Sequence, residues 1–220
     1  MSLINLPCAE TIVHQMKNNV CKIKIKNMQG TGFFCRIPFP FNNKFLNVLF
    51  TCNHIINYDL LNKEDTKIFV SLNNDSIRKE LNLNNRIKYT NEEYDVTIIE
   101  IKESDNITNY LELDDFLLQG ISSDEIKNDI FIDESIYIIE YIEGEVSVSS
   151  NKINNISERK YIFTHQCHTG NGAAGSPILS VKNNKVIGIH HSVKHNMNFG
   201  LGTFLNYPLK EFITICKSKI

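Results

Sequence analysis

The sequence predicts an all-β protein of the sandwich or barrel type, and three observations carry that prediction. Short segments of strand length recur along the chain. Turn-rich pieces such as Pro38-Phe39-Pro40-Phe41-Asn42-Asn43 and Asn73-Asn74-Asp75 separate them. The segments fall into two sets on either side of an acidic, less regular stretch, residues 103–129, which reads as a crossover. Many short strands spaced by turn signals bury their apolar faces by closing on themselves or by pairing sheet against sheet.

The first set opens at residues 21–26, where Cys21, Ile23 and Ile25 alternate with Lys22, Lys24 and Lys26. Side chains of a strand point to opposite faces in turn, so this is a half-buried strand with one wet face. Residues 32–37, 45–51, 67–72, 86–89 and 96–101 complete the set. The second set comprises 135–141, 145–149, 161–164, 177–181, 185–190 and 200–204. Pro208 followed by Leu209, Phe212, Ile213 and Cys216 has helical spacing and predicts a terminal amphipathic helix with proline in its first turn. Residues 9–18 are expected to form a short helix as well.

Composition narrows the setting. A hydrophobic content of 42% over 220 residues suffices for one domain or two small ones. The net charge of −2, with no basic stripe or aromatic platform, argues against nucleic acid or an acidic membrane as partner. No run of apolar residues is long enough for a transmembrane helix, and the opening Met1-Ser2-Leu3-Ile4-Asn5 lacks the features of an export signal. A cytoplasmic protein is therefore expected. Its six cysteines, none in Cys-x-x-Cys spacing, are then expected to be reduced thiols, with a Cys35–Cys52 bridge left open.

Four motifs carry chemistry. Thr51-Cys52-Asn53-His54-Ile55-Ile56 follows an apolar run, and Tyr94-Asp95-Val96-Thr97-Ile98-Ile99 opens another. Gly172-Ala173-Ala174-Gly175-Ser176-Pro177 is a glycine-rich loop, and Gly30-Thr31-Gly32-Phe33-Phe34 lies upstream of His54. Taken singly, such a histidine is an ordinary surface or core residue, and such an aspartate an ordinary turn residue. Together they place His54, Asp95 and position 174 in one order, with gaps of 41 and 79 residues. That order separates this arrangement from subtilisins and α/β-hydrolases.

On these motifs the chain resembles the trypsin-like (chymotrypsin-like) serine peptidase superfamily over roughly residues 20–205. It looks most like bacterial glutamyl endopeptidases and viral chymotrypsin-like proteases. The resemblance implies two packed six-stranded antiparallel β-barrels with a C-terminal helix. Residues 1–110 would form the barrel that carries His54 and Asp95, and 111–130 the crossover. Residues 131–220 would form the barrel that carries the nucleophile loop, plus the helix.

The resemblance also assigns roles. A hydroxyl at position 174 would attack the scissile carbonyl, His54 would take its proton, and Asp95 would orient the imidazole. The N–H groups of Gly172 and residue 174 would form the oxyanion hole. Position 174 is alanine, however, and a methyl group cannot attack a carbonyl, so this chain is expected to be inert. Either a serine (or cysteine) was deliberately replaced, which the intact partners favour, or the protein is a natural pseudoprotease that holds a peptide without cutting it. Ser176 is not a substitute, since it precedes Pro177, which biases it towards extended backbone two positions beyond the loop's elbow.

In the similar families, the histidine of Val186-Ile187-Gly188-Ile189-His190 lines the pocket for the residue before the cut, together with a threonine placed as Thr169 is. That pair implies cleavage after Glu or Gln in a protein or peptide substrate. Ala173 stands where zymogen-activated relatives carry an aspartate, so no such salt bridge is expected. No cofactor is expected. A rival metal reading rests on His165, Cys167 and His168 together with His190, His191 and His195, zinc-ligand types without finger spacing; the favoured expectation is no metal.

Overall fold

The computed structural model describes residues 4–25, 28–38, 45–122, 127–194 and 199–218. It opens with helix α1 (Leu6–Asn18), whose first turn contains proline and whose Asn5 side chain accepts from the Cys8 N–H at 3.0 Å. That cap starts the helix three residues before the predicted bound, because propensity alone does not see an Asn-x-Pro start. Helix α1 is tied to the second half of the chain. Gln15 donates to the Asn184 carbonyl at 3.0 Å, and the Tyr137 hydroxyl donates to Gln15 at 2.7 Å.

The first sheet is made of β1 (Val20–Ile25), β2 (Met28–Pro38), β3 (Phe45–Thr51), β4 (Lys67–Leu72), β5 (Ile77–Asn82), β6 (Lys88–Asn91) and β7 (Val96–Glu100). Its spatial order is β5-β4-β1-β2-β3-β7-β6, and each of these pairings is antiparallel. A short strand β8 (Leu111–Glu112) returns from the crossover and pairs in parallel with Cys35 and Arg36 of β2. Helix α2 (Tyr58–Asn62) sits after β3. Lys26 and the turn residues 39–43 lie outside the described residues.

The second half is a closed six-stranded barrel in the order β10-β11-β14-β13-β12-β9. Its strands are β9 (Ser135–Ile142), β10 (Glu145–Ile156), β11 (Ile162–His165), β12 (Pro177–Ser180), β13 (Val186–Lys194) and β14 (Phe199–Phe204). The chain ends in α4 (Asn206–Ser218), which contains Pro208 near its start and buries Leu209 and Phe212. The mostly β architecture with a C-terminal helix is the one the sequence predicted; of the two six-stranded barrels expected, the second is closed with six strands, whereas the first half is a sheet of eight.

The short elements α2 and β8 were not predicted, nor were two longer ones. Strand β5 reads Ile77-Arg78-Lys79-Glu80-Leu81-Asn82, too charged to register as a strand; it is a terminal strand of the ladder and fully buries only Leu81. Helix α3 (Asp115–Ser122) lies in the acidic stretch expected to be irregular. Asp114 caps it by accepting from the Phe116 N–H at 2.9 Å, and Leu117 is buried beneath it.

Candidate active site

The turns after β3 and before β7 meet. Ile55 and Ile56 both donate from their N–H groups to the Cys52 carbonyl, at 3.2 and 3.1 Å, folding the chain sharply around His54. Asn53 donates to the Thr90 hydroxyl at 2.7 Å, and Thr97 donates to the Ile56 carbonyl at 2.6 Å. The turn is thus clamped to β6 and β7. Asp95 has φ +50°, a left-handed conformation that aspartate tolerates better than most residues. That backbone aims its carboxylate back at His54. One oxygen accepts from the His54 N–H at 3.0 Å and the other lies 2.8 Å from His54 Nδ1. The carboxylate therefore holds both the backbone and the ring of the histidine, leaving the imidazole about half exposed to the groove.

The glycine-rich loop is carried to the same place by Thr31. Its N–H donates to the Ala174 carbonyl at 2.8 Å, and its hydroxyl donates to the Gly172 carbonyl at 2.7 Å while accepting from the Tyr141 N–H at 3.0 Å. Its own carbonyl accepts from Thr51, three residues before His54, at 2.9 Å. One threonine thereby ties β2, β3, β9 and the loop together. Gly30 beside it lies between the two sides: a Cβ there would fall 2.9 Å from the Ile55 side chain and 3.2 Å from the Ala174 carbonyl oxygen.

Within the loop, Gly172 and Gly175 have φ of +99° and +91°. A side chain at Gly175 would run into the Thr31 carbonyl, and one at Gly172 would meet the Tyr141 carbonyl. Both positions need glycine for conformation and for space. The Gly175 N–H donates to the His190 carbonyl at 2.8 Å, and the Cys52 thiol contacts the same oxygen at 3.4 Å. Ser176 is fully buried with its hydroxyl on the Ala173 carbonyl at 2.6 Å, which disposes of it as a nucleophile. Among the described residues, no group accepts from the N–H of Gly172 or of Ala174, so both donors are available to a ligand.

A cavity of about 260 Å³ lies beside this loop, lined by Thr169, Gly170, Gly172, Ala174, His190 and His191 among others. His190 is 2% exposed, and its Nδ1 lies 3.1 Å from Nε2 of the fully buried His165. Burial, followed by the neighbouring imidazole, holds His190 well below the ordinary histidine range. Burial likewise lowers His165 to about 4. Both rings are thus neutral at pH 7. They flank Gly200 and Gly202 of β14, and a Cβ on Gly200 would collide with the His165 ring.

Three contacts escaped the sequence. His191 Nδ1 lies 4.0 Å from the same Asp95 oxygen that faces His54, the buried Cys52 lies beside that carboxylate, and His165 partners His190. The only trace of the last is the Gly-x-Gly of β14, which leaves room for large neighbours. Among the described residues the rival metal set does not come together as a group, His168 being exposed while His165 and Cys167 are buried; His195 lies outside the described residues. All six cysteines are free thiols, Cys35 and Cys52 included.

A sheet and a closed barrel that gather a histidine, an aspartate and a glycine-rich loop into one groove define a chymotrypsin-like fold. Comparison with known proteins agrees. The profile of the trypsin-like peptidase domain matches residues 30–189, and the chain belongs to that family. No curated protein matches it. Among solved structures, an inactive Ser→Ala mutant of Rv3671c from M. tuberculosis superposes with a TM-score of 0.65 at 14% identity, covering 99% of this chain and 94% of that one. A serine endoprotease from Yersinia pestis gives 0.64 at 13% identity, covering 97% and 68%. A Glu endopeptidase gives 0.63 at 16% identity, covering 92% and 91%. At such identities these likenesses speak for the fold. No helix among the described residues is long and apolar enough to cross a membrane.

Proposed function

We propose that this chain is an inactive form of a serine-type endopeptidase: with a hydroxyl at position 174 it would cleave after Glu or Gln, and alanine stands there instead. The observation that carries the reading is the double hold of Asp95 on His54, at 3.0 and 2.8 Å. Nδ1 is occupied as a donor, so Nε2 is left as the lone-pair nitrogen facing the groove, the tautomer a general base needs. A hydroxyl at position 174 would pass its proton to that nitrogen. The N–H groups of Gly172 and residue 174, without internal acceptors, would receive the charge that develops on the carbonyl oxygen. Residues 1–110 would supply the acid–base pair and 131–220 the loop and pocket, with 111–130 joining them.

The neutral His190–His165 pair supports the specificity. A buried imidazole with one nitrogen on another imidazole can offer N–H or lone pair by tautomer exchange. That suits a carboxyl or amide side chain and leaves a cation unpaired. Thr169, on the wall of the same cavity, would add a hydroxyl. With the groove intact and the nucleophile absent, the second reading is a module that binds peptides without cutting them.

Restoring the hydroxyl distinguishes the two. The Ala174→Ser protein is expected to cleave a peptide library with Glu or Gln before the cut, and adding His54→Ala is expected to abolish cleavage. An inert Ala174→Ser protein that still binds peptides would leave the binding module. A preference for Lys or Phe would remove the assigned pocket.

A further inference from the structure

We propose that Cys52, His54 and Asp95 form a zinc-type metal site that switches the catalytic pair off. Donor atoms of the three lie within 4.8 Å of one another, and among the described residues no other set of three such side chains meets that condition. The donors are a sulfur, an imidazole nitrogen and a carboxylate oxygen, the mixed set that Zn²⁺ accepts at about 2.0–2.3 Å. Tetrahedral ligands around such an ion stand somewhat over 3 Å apart. The site therefore closes by small rotations about side-chain bonds, without moving the backbone. His54 is about half exposed and gives the ion its way in, whereas Cys52 is fully buried beneath it.

Cys52 is the residue that makes this a metal site and not merely a catalytic pair. Its thiol reaches the His190 carbonyl, at 3.4 Å, and the Asp95 carboxylate, and a weak S–H donor gains little from either. Beside it stands the Asp95 carboxylate, which repels a bare thiolate but joins it readily in neutralising a dication. His191 Nδ1, 4.0 Å from the same carboxylate oxygen, offers a further nitrogen close by. With three protein ligands the fourth position goes to water or to a group in the groove, as in open zinc sites.

The proton balance explains the inhibition. On binding, the Cys52 thiol loses its proton to solvent and a sulfur–metal bond forms. The Nδ1 proton of His54 leaves Nδ1, and the neutral ring is reprotonated at Nε2 while the Nδ1 lone pair goes to the ion. Asp95 exchanges its hydrogen bond with Nδ1 for a metal bond. The ring is then in the wrong tautomer: Nε2 carries a proton and accepts none.

The binding half of this proposal stands on the cluster alone; the inhibition half rests on the proteolytic reading, and the two are tested separately. The chain with Ala174 is titrated with Zn²⁺ by calorimetry and with Co²⁺ by absorbance. One ion per chain and a thiolate-to-cobalt charge-transfer band are expected. Loss of an outer partner of a metal ligand costs 10–100-fold in affinity, so loss of a ligand in Cys52→Ala is expected to cost at least about 100-fold. His54→Ala, a change at an exposed ring that leaves the fold intact, is expected to weaken binding similarly. In the Ala174→Ser protein, zinc is expected to suppress peptide cleavage and a chelator to restore it. Cys52→Ala in that background is expected to resist zinc when each protein is measured against its own metal-free rate.

Absence of stoichiometric binding, or binding that neither substitution weakens, overturns the site. If zinc binds through Cys52 and His54 yet leaves cleavage untouched, the switch is overturned. A metal-free Ala174→Ser protein without activity would count against the proteolytic reading alone.

Discussion

Two pairs of side chains, His54 with Asp95 and His165 with His190, differ in their surroundings. His54 is about half exposed and faces a carboxylate; His165 is fully buried and faces another imidazole, that of His190. His54 has water on one side and a carboxylate on the other. A ring in a dry barrel beside a second ring is held neutral by its burial, as His165 is. The residue type is the same, so the difference lies wholly in what surrounds it. Under the proposed function, one pair would move charge and the other would recognise a polar group without charge.

The largest expected effect breaks the comparison at its active end. In the Ala174→Ser background, His54→Ala is expected to remove most of a triad contribution of roughly a millionfold in kcat. Initial rates on a cleavable peptide measure it. Next is Asp95→Asn in the same background. It keeps the shape but no longer enforces the tautomer, and a loss of about 10⁴-fold in kcat with little change in KM is expected. A loss confined to KM would mean that Asp95 serves only the architecture.

The buried pair is tested by specificity. His190→Leu is expected to lower kcat/KM for substrates with Glu or Gln before the cut by roughly 100-fold or more, and that for an apolar residue far less. Equal losses on both would show that His190 acts as packing.

The smallest effect is on stability. His165 is protonated more readily when unfolded than when native, where burial lowers it to about 4. Stability is therefore lost as pH falls from about 6.5 towards 4, with a limiting slope of about 1.4 kcal/mol per pH unit. Glu140 of β9 is the counterweight. It is 1% exposed, its one recorded partner is the Ser149 hydroxyl at 3.3 Å, and burial raises it to about 8. It binds its proton more tightly when native, so stability is lost as pH rises from about 4.5 towards 8. Between about 4.5 and 6.5 Glu140 opposes His165, but burial also holds His190 well below its ordinary range, so the histidines together outweigh it and a net loss of stability on acidification is expected there in urea unfolding. Glu140→Gln is expected to remove the decline above about 6.5, and His165→Gln to make the decline below it shallower. A profile unchanged by either substitution would mean that neither side chain is as dry as its burial implies.

Much of this was legible in the sequence. Most strands were found from their alternation, because period-two patterning is local. The strands that were missed or shifted are those whose pairing overrides composition. β5 is a charged strand held by β4, and β6 begins at Lys88 while Arg86 pairs with Asp105 at 2.6 Å. His54 and Asp95 were legible from order and spacing, and the structure brings them together. Thr31 was legible as part of a motif but not as the residue that ties the loop to β2 and β3. Cys52 and His191 beside Asp95 were not legible at all. They reach that carboxylate from the turn after β3 and from β13, and no local pattern encodes a meeting of distant segments.

The amino-acid order by itself determined the strand pattern, the terminal helix, the loop glycines and the absence of a hydroxyl at position 174. These are properties of neighbouring residues and of single side chains. The folded chain alone decided which histidine is wet and which is dry, and what each one touches. Burial and partnership arise only when strands far apart in sequence close on one another, and those two quantities set the charge a side chain can carry.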